Sequence, residues 1–267
     1  MKTAAIGRIL WKLGMAFLSL QYGSHCDAGQ FYPSLHDRRR TETMTDISFP
    51  ILPCAYPDAP VRPGRLVDLE RLDIARHAGG LWQAVGRHAG LWAMIPPGPF
   101  ADEAAFVEWL TPRAERTDVA LYVIVEKTGA RTVAGLFLLL GINPAMGTVE
   151  MGLVYGSTLR RKSAGTEAFF LLAQYVLGTL RYRRLEWRCG PDHTASRHAA
   201  ERFGFTLEGV LRQTMWAKGR SWDTAIYAML DHEWPPIADR LTDWLSPDNF
   251  GEKGGQRRSL TRPRNER

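Results

Sequence analysis

Side chains that could do chemistry concentrate at one junction, Arg160-Arg161-Lys162-Ser163-Ala164-Gly165-Thr166-Glu167, where a strand-like run has ended and a long helical run begins. The first amides of a helix have no intrahelical partner, and together with the helix dipole they make a site for an anion. Ala164 and Gly165 are small enough to let a ligand approach the backbone, and Arg160, Arg161 and Lys162 add charge suited to phosphate groups. The junction lacks the Gly-Lys-Ser or Gly-Lys-Thr of a P-loop. Alone, these residues equally describe a solvated basic helix start. The cysteines Cys26, Cys54 and Cys189 contain no Cys-x-x-Cys pair, and no His stands at zinc-ligand spacing, so neither a metal site nor a disulfide scaffold is indicated. A reducing compartment, the cytoplasm, is the expectation that follows.

The elements that must position this junction can be read on either side of it. Thr148–Tyr155 reads as a strand, Ser163–Leu180 as a helix, Arg184–Cys189 as a strand and Thr194–Phe203 as a helix. Upstream, Leu66–Leu69 can be a short strand, Asp73 caps a helical run through Trp82 and Val85, and Ala101–Glu115 is a second helix. The aromatic and Pro/Gly-rich segment Leu91–Phe100 is expected to form no regular structure. Val119–Val125 and Thr132–Leu140 form a hairpin, and Phe205–Ala217 with Trp222–Leu230 form another, turned at Lys218-Gly219-Arg220-Ser221. The order predicts an α/β fold with a mixed, mostly antiparallel central sheet flanked by helices and no internal repeat.

At 267 residues, with 45% hydrophobic and 23% charged side chains, the chain can bury one sizeable core plus appendages. Its pI of about 9.4 suggests nucleic acid until the charge is located. Residues 1–43 carry six basic and three acidic side chains, residues 246–267 carry six and three, and residues 44–245 are balanced. The excess lies in the ends, in runs such as Arg38-Arg39-Arg40 and Arg257-Arg258, so no specific nucleic-acid partner is expected. The apolar run Ile9–Leu20 loosely imitates a signal peptide, but Lys12 interrupts it and it falls short of the roughly 20 residues that span a bilayer. Residues 1–59, Pro-rich from 45 onward, read as an extension for which Met44 could be the start. A domain covers residues 60–237, and residues 238–267 read as a helix remnant with a basic tail. Nine tryptophans permit either a monomer or a homodimer.

The strand Glu150-Met151-Gly152-Leu153-Val154-Tyr155, the basic turn, Thr166-Glu167-Ala168, Arg181–Trp187, the segment His193-Thr194-Ala195-Ser196, Gly204-Phe205 and Glu208–Gln213 follow one another in a specific order. In that order the chain resembles the GNAT acetyltransferases, in particular the branch of the ribosomal-protein N-terminal acetylases and their small-molecule-acting relatives. The resemblance spans roughly residues 60–235. The segment Trp92–Phe100 is similar to that branch's substrate-side loop.

This resemblance implies transfer of acetyl from acetyl-CoA to an amine, a protein N-terminus or a small molecule, by direct attack on the thioester. It implies that Arg160, Arg161, Lys162, Ser163, Ala164, Gly165 and Thr166 hold the pyrophosphate, with His193 also in contact. A backbone N–H of Leu153 or Val154 would polarise the carbonyl, Glu150 acting through water would be the base, and Ser196 would serve the departing sulfur. Trp92 and Phe100 would wall the acceptor. Three positions depart from the family pattern: Ser163 replaces Gly, His193 replaces Asn, and Ala200 stands where many GNAT enzymes carry a Tyr acid. They motivate the alternative of a non-catalytic acyl-CoA-binding module.

Overall fold

A computed structural model describes residues 51–127, 129–251 and 255–260. The expectations for the Met44 start, the Ile9–Leu20 run, Cys26, Arg38–Arg40 and residues 261–267 lie outside the described residues.

Among the described residues eight strands make one sheet: β1 (Val61–Pro63), β2 (Val67–Arg71), β3 (Ala120–Glu126), β4 (Thr132–Asn143), β5 (Thr148–Tyr155), β6 (Arg184–Cys189), β7 (Thr206–Ala217) and β8 (Arg220–Leu230). Their spatial order is β1-β2-β3-β4-β5-β6-β8-β7, and every pairing is antiparallel except β5 with β6. β3 and the middle of β4 are apolar on both faces because both faces are covered. On one side lie α1 (Ile74–Leu81) and α3 (Glu103–Ala114); on the other lie α4 (Ser163–Ala173), α5 (Thr194–Phe203) and α6 (Trp234–Leu245).

The helices start where polar caps permit. Asp73 accepts from the Arg76 N–H and Asp102 from the Ala105 N–H, satisfying donors in the first turns of α1 and α3. α5 ends at Gly204, whose φ of 107° is left-handed and whose N–H returns to the carbonyls of Ala200 and Glu201. α4 is shorter than its sequence pattern and passes into a π-type turn over Gln174–Thr179. α1 likewise continues as a π-type turn over Trp82–Gly86.

Several expectations are corrected. The Pro-rich lead-in joins the fold: β1 pairs with β2, the Cys54 N–H donates to the Pro144 carbonyl, and the Tyr122 hydroxyl donates to the Pro57 carbonyl. Pro63 is tolerated because β1 is an edge strand. Within the segment expected to be irregular, Ala89–Trp92 forms one helical turn, α2, before the chain becomes irregular. The C-terminal remnant is a full helix, α6, with Pro235 and Pro236 in its first turn. Beyond it Leu260 is buried, and the Asn249 side chain binds the backbone of Trp244 and Arg258, so the described residues 246–251 and 255–260 pack onto the fold.

Candidate functional site

β5 and β6 pair from Thr148 with Arg184 to Met151 with Trp187, and there the pairing ends. β5 nevertheless runs on to Tyr155 against β4, and β6 runs on to Cys189 against β8. Past Met151 and Trp187 each strand therefore keeps one hydrogen-bonded edge and presents the other to the gap between them. Backbone donors and acceptors left in such a gap require another partner.

A cavity of about 1370 Å3 occupies the gap. That exceeds the roughly 300–1,000 Å3 of a single small-ligand pocket, which leaves room for two reactants. It draws its walls from both faces of the sheet, the α4–α5 side and the α1–α3 side.

The start of α4 forms one wall. Lys162 occupies the N-cap position in an extended conformation and offers no capping side chain, so the first amides of α4 keep their donors for another partner. Arg161 adopts a left-handed φ of 60°, which turns the chain sharply into the helix. Arg160, Arg161, Lys162, Ser163, Gly165 and Thr166 all border the cavity, whereas the Ala164 side chain is buried in the core. Gly165 is needed for a reason the sequence did not disclose. A Cβ there would stand 2.4 Å from the Leu159 carbonyl oxygen and 3.1 Å from the Tyr155 ring, so the close approach is to the protein's own turn. Tyr155 seals that turn, its hydroxyl donating to the Gly165 carbonyl at 2.8 Å, and burial drives its pKa far upward.

α5 forms the facing wall. Its N-cap is His193, whose Nδ1 accepts from the Ser196 N–H at 3.4 Å. The imidazole thus performs the capping for which Asn is well suited, and Ser196 is not itself the cap. Burial lowers the His193 pKa, opposed by Asp192, so the neutral acceptor form prevails. The Ser196 hydroxyl lines the cavity, accepts from the Trp187 indole N–H at 3.0 Å, and can turn its proton to the Cys189 sulfur or into the cavity. Ala200 is fully buried outside the lining, so Ser196, one turn earlier, is the hydroxyl this helix presents.

His193 gives a prediction. Protonation would consume the capping lone pair, and a depressed folded pKa means the unfolded chain takes the proton first. The contribution is present above the unfolded value of about 6.5 and is lost as pH falls through the folded pKa. Urea unfolding is expected to show the wild type losing more stability between pH 7.5 and 5.5 than His193→Asn. At neutral pH His193→Ala is expected to cost about 1 kcal/mol.

Leu153 and Val154 line the cavity where β5 has left β6. Glu150 does not line it: it stands one step back, paired at 3.4 Å with Arg188, whose side chain does. Burial raises the Glu150 pKa, Arg188 opposes this and Glu186 adds to it. Arg188 also binds Glu186 at 2.8 Å, and Arg184 links Glu186 to Glu208, so the carboxylate sits at the end of a charge ladder across the sheet. On the α1–α3 side Trp92 lines the cavity, fixed by its indole N–H to the Val85 carbonyl. Phe100 does not; it packs edge-on against Trp92 at 4.9 Å between ring centres and supports the wall from behind.

A sequence profile described as the Acetyltransferase (GNAT) domain matches residues 66–206, more than half of the chain. The chain belongs to the GNAT acetyltransferase family. A GCN5-related N-acetyltransferase from Brucella melitensis is 38% identical, with 78% of this chain and 96% of that one covered and a TM-score of 0.74. A GNAT-family structure from Chromobacterium violaceum is 35% identical over 79% of this chain and 99% of its own, with a TM-score of 0.65. The ribosomal L7/L12 N-terminal acetyltransferase RimL, in complex with coenzyme A, shares the fold at 21% identity and a TM-score of 0.56, over 64% of this chain and 97% of its own. Comparison with functionally curated proteins finds no match. This GNAT protein is thus an acetyl-CoA-dependent acetyltransferase. Among its described residues no helix is long and apolar enough to cross a membrane, and no cluster of three or more His, Cys, Asp or Glu could hold a metal.

Sequence reasoning missed part of this GNAT site. Arg202 borders the cavity, donates to the Thr166 hydroxyl at 3.2 Å and lies 5.1 Å over the Trp244 ring. Burial lowers its pKa, as does Arg240, an arrangement suited to an anionic ligand. Phe250 and Leu260 from the supposed tail close the same end. Arg202 lies in the helix read over Thr194–Phe203, but no local pattern announces which face of α5 meets α6.

Proposed function

We propose that this acetyltransferase moves acetyl from acetyl-CoA to a primary amine, a protein N-terminus or a small molecule, by direct attack within the β5–β6 gap. The observation that carries this reading is the parting of β5 and β6 beside the uncapped start of α4. The amides of α4 with Arg160, Arg161 and Lys162 would hold the pyrophosphate, and the open edge of β5 would meet the amide-bearing arm of the cofactor. His193 lies on the facing wall, at the start of α5. Bound acetyl-CoA supplies the activated acetyl thioester.

The remaining steps fall to side chains and backbone. An N–H of Leu153 or Val154 would donate to the thioester carbonyl oxygen, where charge develops. Glu150 would take a proton from the acceptor ammonium through a water, because only the neutral amine is nucleophilic. An ordinary carboxylate is a weak base for that task, and a pKa raised by burial brings it nearer. The Ser196 hydroxyl would turn its proton from Cys189 to the departing sulfur. The free thiols of Cys54 and Cys189 suit a reducing, cytoplasmic setting.

The test is thiol release from acetyl-CoA in the presence of an amine panel, with acetylated product identified by mass. Ser196→Ala is expected to lower kcat roughly tenfold to a hundredfold with the KM for acetyl-CoA unchanged. An unchanged kcat would remove Ser196 from the mechanism.

A further inference from the structure

We infer that the acceptor is a monoamine carried on a bulky apolar body, aromatic or branched aliphatic, and not a polycation. The inference rests on the reading of the β5–β6 gap as the transfer site and names the acceptor class for it. On the α1–α3 side the cavity is walled by Leu91, Trp92, Ile95, Trp109, Leu138 and Leu140, six apolar or aromatic side chains whose polar atoms are two indole N–H groups, that of Trp92 donating to the Val85 carbonyl and that of Trp109 buried without a partner among the described residues. Burying an apolar body against such a wall is the dominant favourable term available there.

Charge points the same way. Among the described residues the cavity lining contains no Asp or Glu, while Arg160, Arg161, Lys162, Arg188 and Arg202 all contribute to it. Arg160, Arg161 and Lys162 face the cofactor's pyrophosphate in this reading, so at the acceptor end a polyamine or aminoglycoside would meet Arg188 and no lining carboxylate to pair its further charges. Two carboxylates stand behind Arg188, Glu186 at 2.8 Å and Glu150 at 3.4 Å, and neither reaches the lining, so they could serve an ammonium at this border but not a row of cations inside the cavity. The tryptophans do not form a cage for further cations. The Trp109 ring already carries the Arg113 guanidinium at 4.6 Å and stacks on Phe106, and Trp92 is fully buried among Phe100, Phe106 and Trp109.

A remote contact holds the wall. Lys218, at the turn between β7 and β8, reaches across to donate from Nζ to the carbonyls of Trp92 and Ile95. The lysine's charge is spent on backbone oxygens, and the carbonyls it holds belong to two of the wall residues. Lys218 is therefore a positioning residue for acceptor binding, with no contact to the acetyl-CoA end that would make it matter there.

The experiment is calorimetric titration of 2-phenylethylamine and of spermidine into the full chain saturated with CoA, a complex in which no transfer occurs. 2-Phenylethylamine is expected to bind at least about tenfold more tightly than spermidine. Lys218→Met is expected to weaken that binding about fivefold or more while leaving CoA affinity unchanged, with Lys218→Arg restoring it. Equal or tighter binding of spermidine, or no binding of 2-phenylethylamine, would overturn the inference. Selective binding of 2-phenylethylamine without its acetylation from acetyl-CoA would uphold the apolar class and remove the catalytic reading instead.

Discussion

Replacing Glu150 by glutamine is expected to lower kcat/KM by about two to four orders of magnitude while acetyl-CoA still binds, because the substitution keeps the shape and removes the proton acceptor. The wild-type pH profile should carry the same residue's signature. Burial raises the Glu150 pKa, and the base must be ionised to act. The acid limb of kcat/KM should therefore fall at a pH above the ordinary glutamate value of about 4.3, with activity lost as pH drops through it. Arg188 opposes the rise. Arg188→Gln should consequently move the limb to still higher pH, a displacement that a merely structural role for Arg188 would not produce. Full activity in Glu150→Gln would assign the proton to another group and leave the limb unexplained.

The second large effect concerns stability. Glu167 is buried near the start of α4, and its carboxylate accepts from the backbone N–H groups of Arg65, Leu66 and Val67, at 3.2, 2.5 and 2.9 Å. Those amides lie at the entrance to β2, where Val67 faces Glu126 of β3 and the Leu66 carbonyl accepts from the Lys127 N–H, and Glu167 takes the N–H donors. Glu167→Ala would leave three donors unpaired around a void, and a loss of about 3–5 kcal/mol is expected from chemical denaturation. Glu167→Gln should fall between, because its carbonyl accepts while its amide meets donors. A loss below about 1 kcal/mol in Glu167→Ala would mean that β2 is held by its neighbours β1 and β3 alone.

Glu167 also marks the boundary of what the sequence discloses. The order of strands and helices from Val119 onward was legible because alternation and helical spacing are local properties, and the Arg160–Gly165 junction was legible because small and basic residues stand next to one another. The partners of Glu167 lie about a hundred residues away, so a carboxylate that secures a strand looked only like part of a family helix start. Gly165 was read as space for a ligand, and its space is taken by the Leu159 carbonyl. His193 looked like a departure from Asn until its Nδ1 was seen to cap α5. The packing of residues 246–251 and 255–260 depends on the faces of α5 and α6 meeting, through Arg202 and Trp244, and composition there shows only a basic run. The Arg160–Gly165 junction could be read from its local sequence, Trp92, Leu153, Val154, His193 and Ser196 were named through the family resemblance, and Arg202, Phe250 and Leu260, which tertiary packing brings to the cavity, were not named.

The central claim, that acetyl-CoA is held by the uncapped start of α4 beside the β5–β6 gap, is tested most directly by calorimetric titration of acetyl-CoA into the full chain and into its Ser163→Asp variant. Asp in the first turn complements the helix dipole, so the variant should be as stable as the wild type, yet its charge would oppose a phosphate at the same amides. Saturable one-site binding by the wild type, weakened about tenfold or more by Ser163→Asp, is the expected result. Failure of the folded wild type to bind, or equal affinity in the two proteins, would contradict the claim.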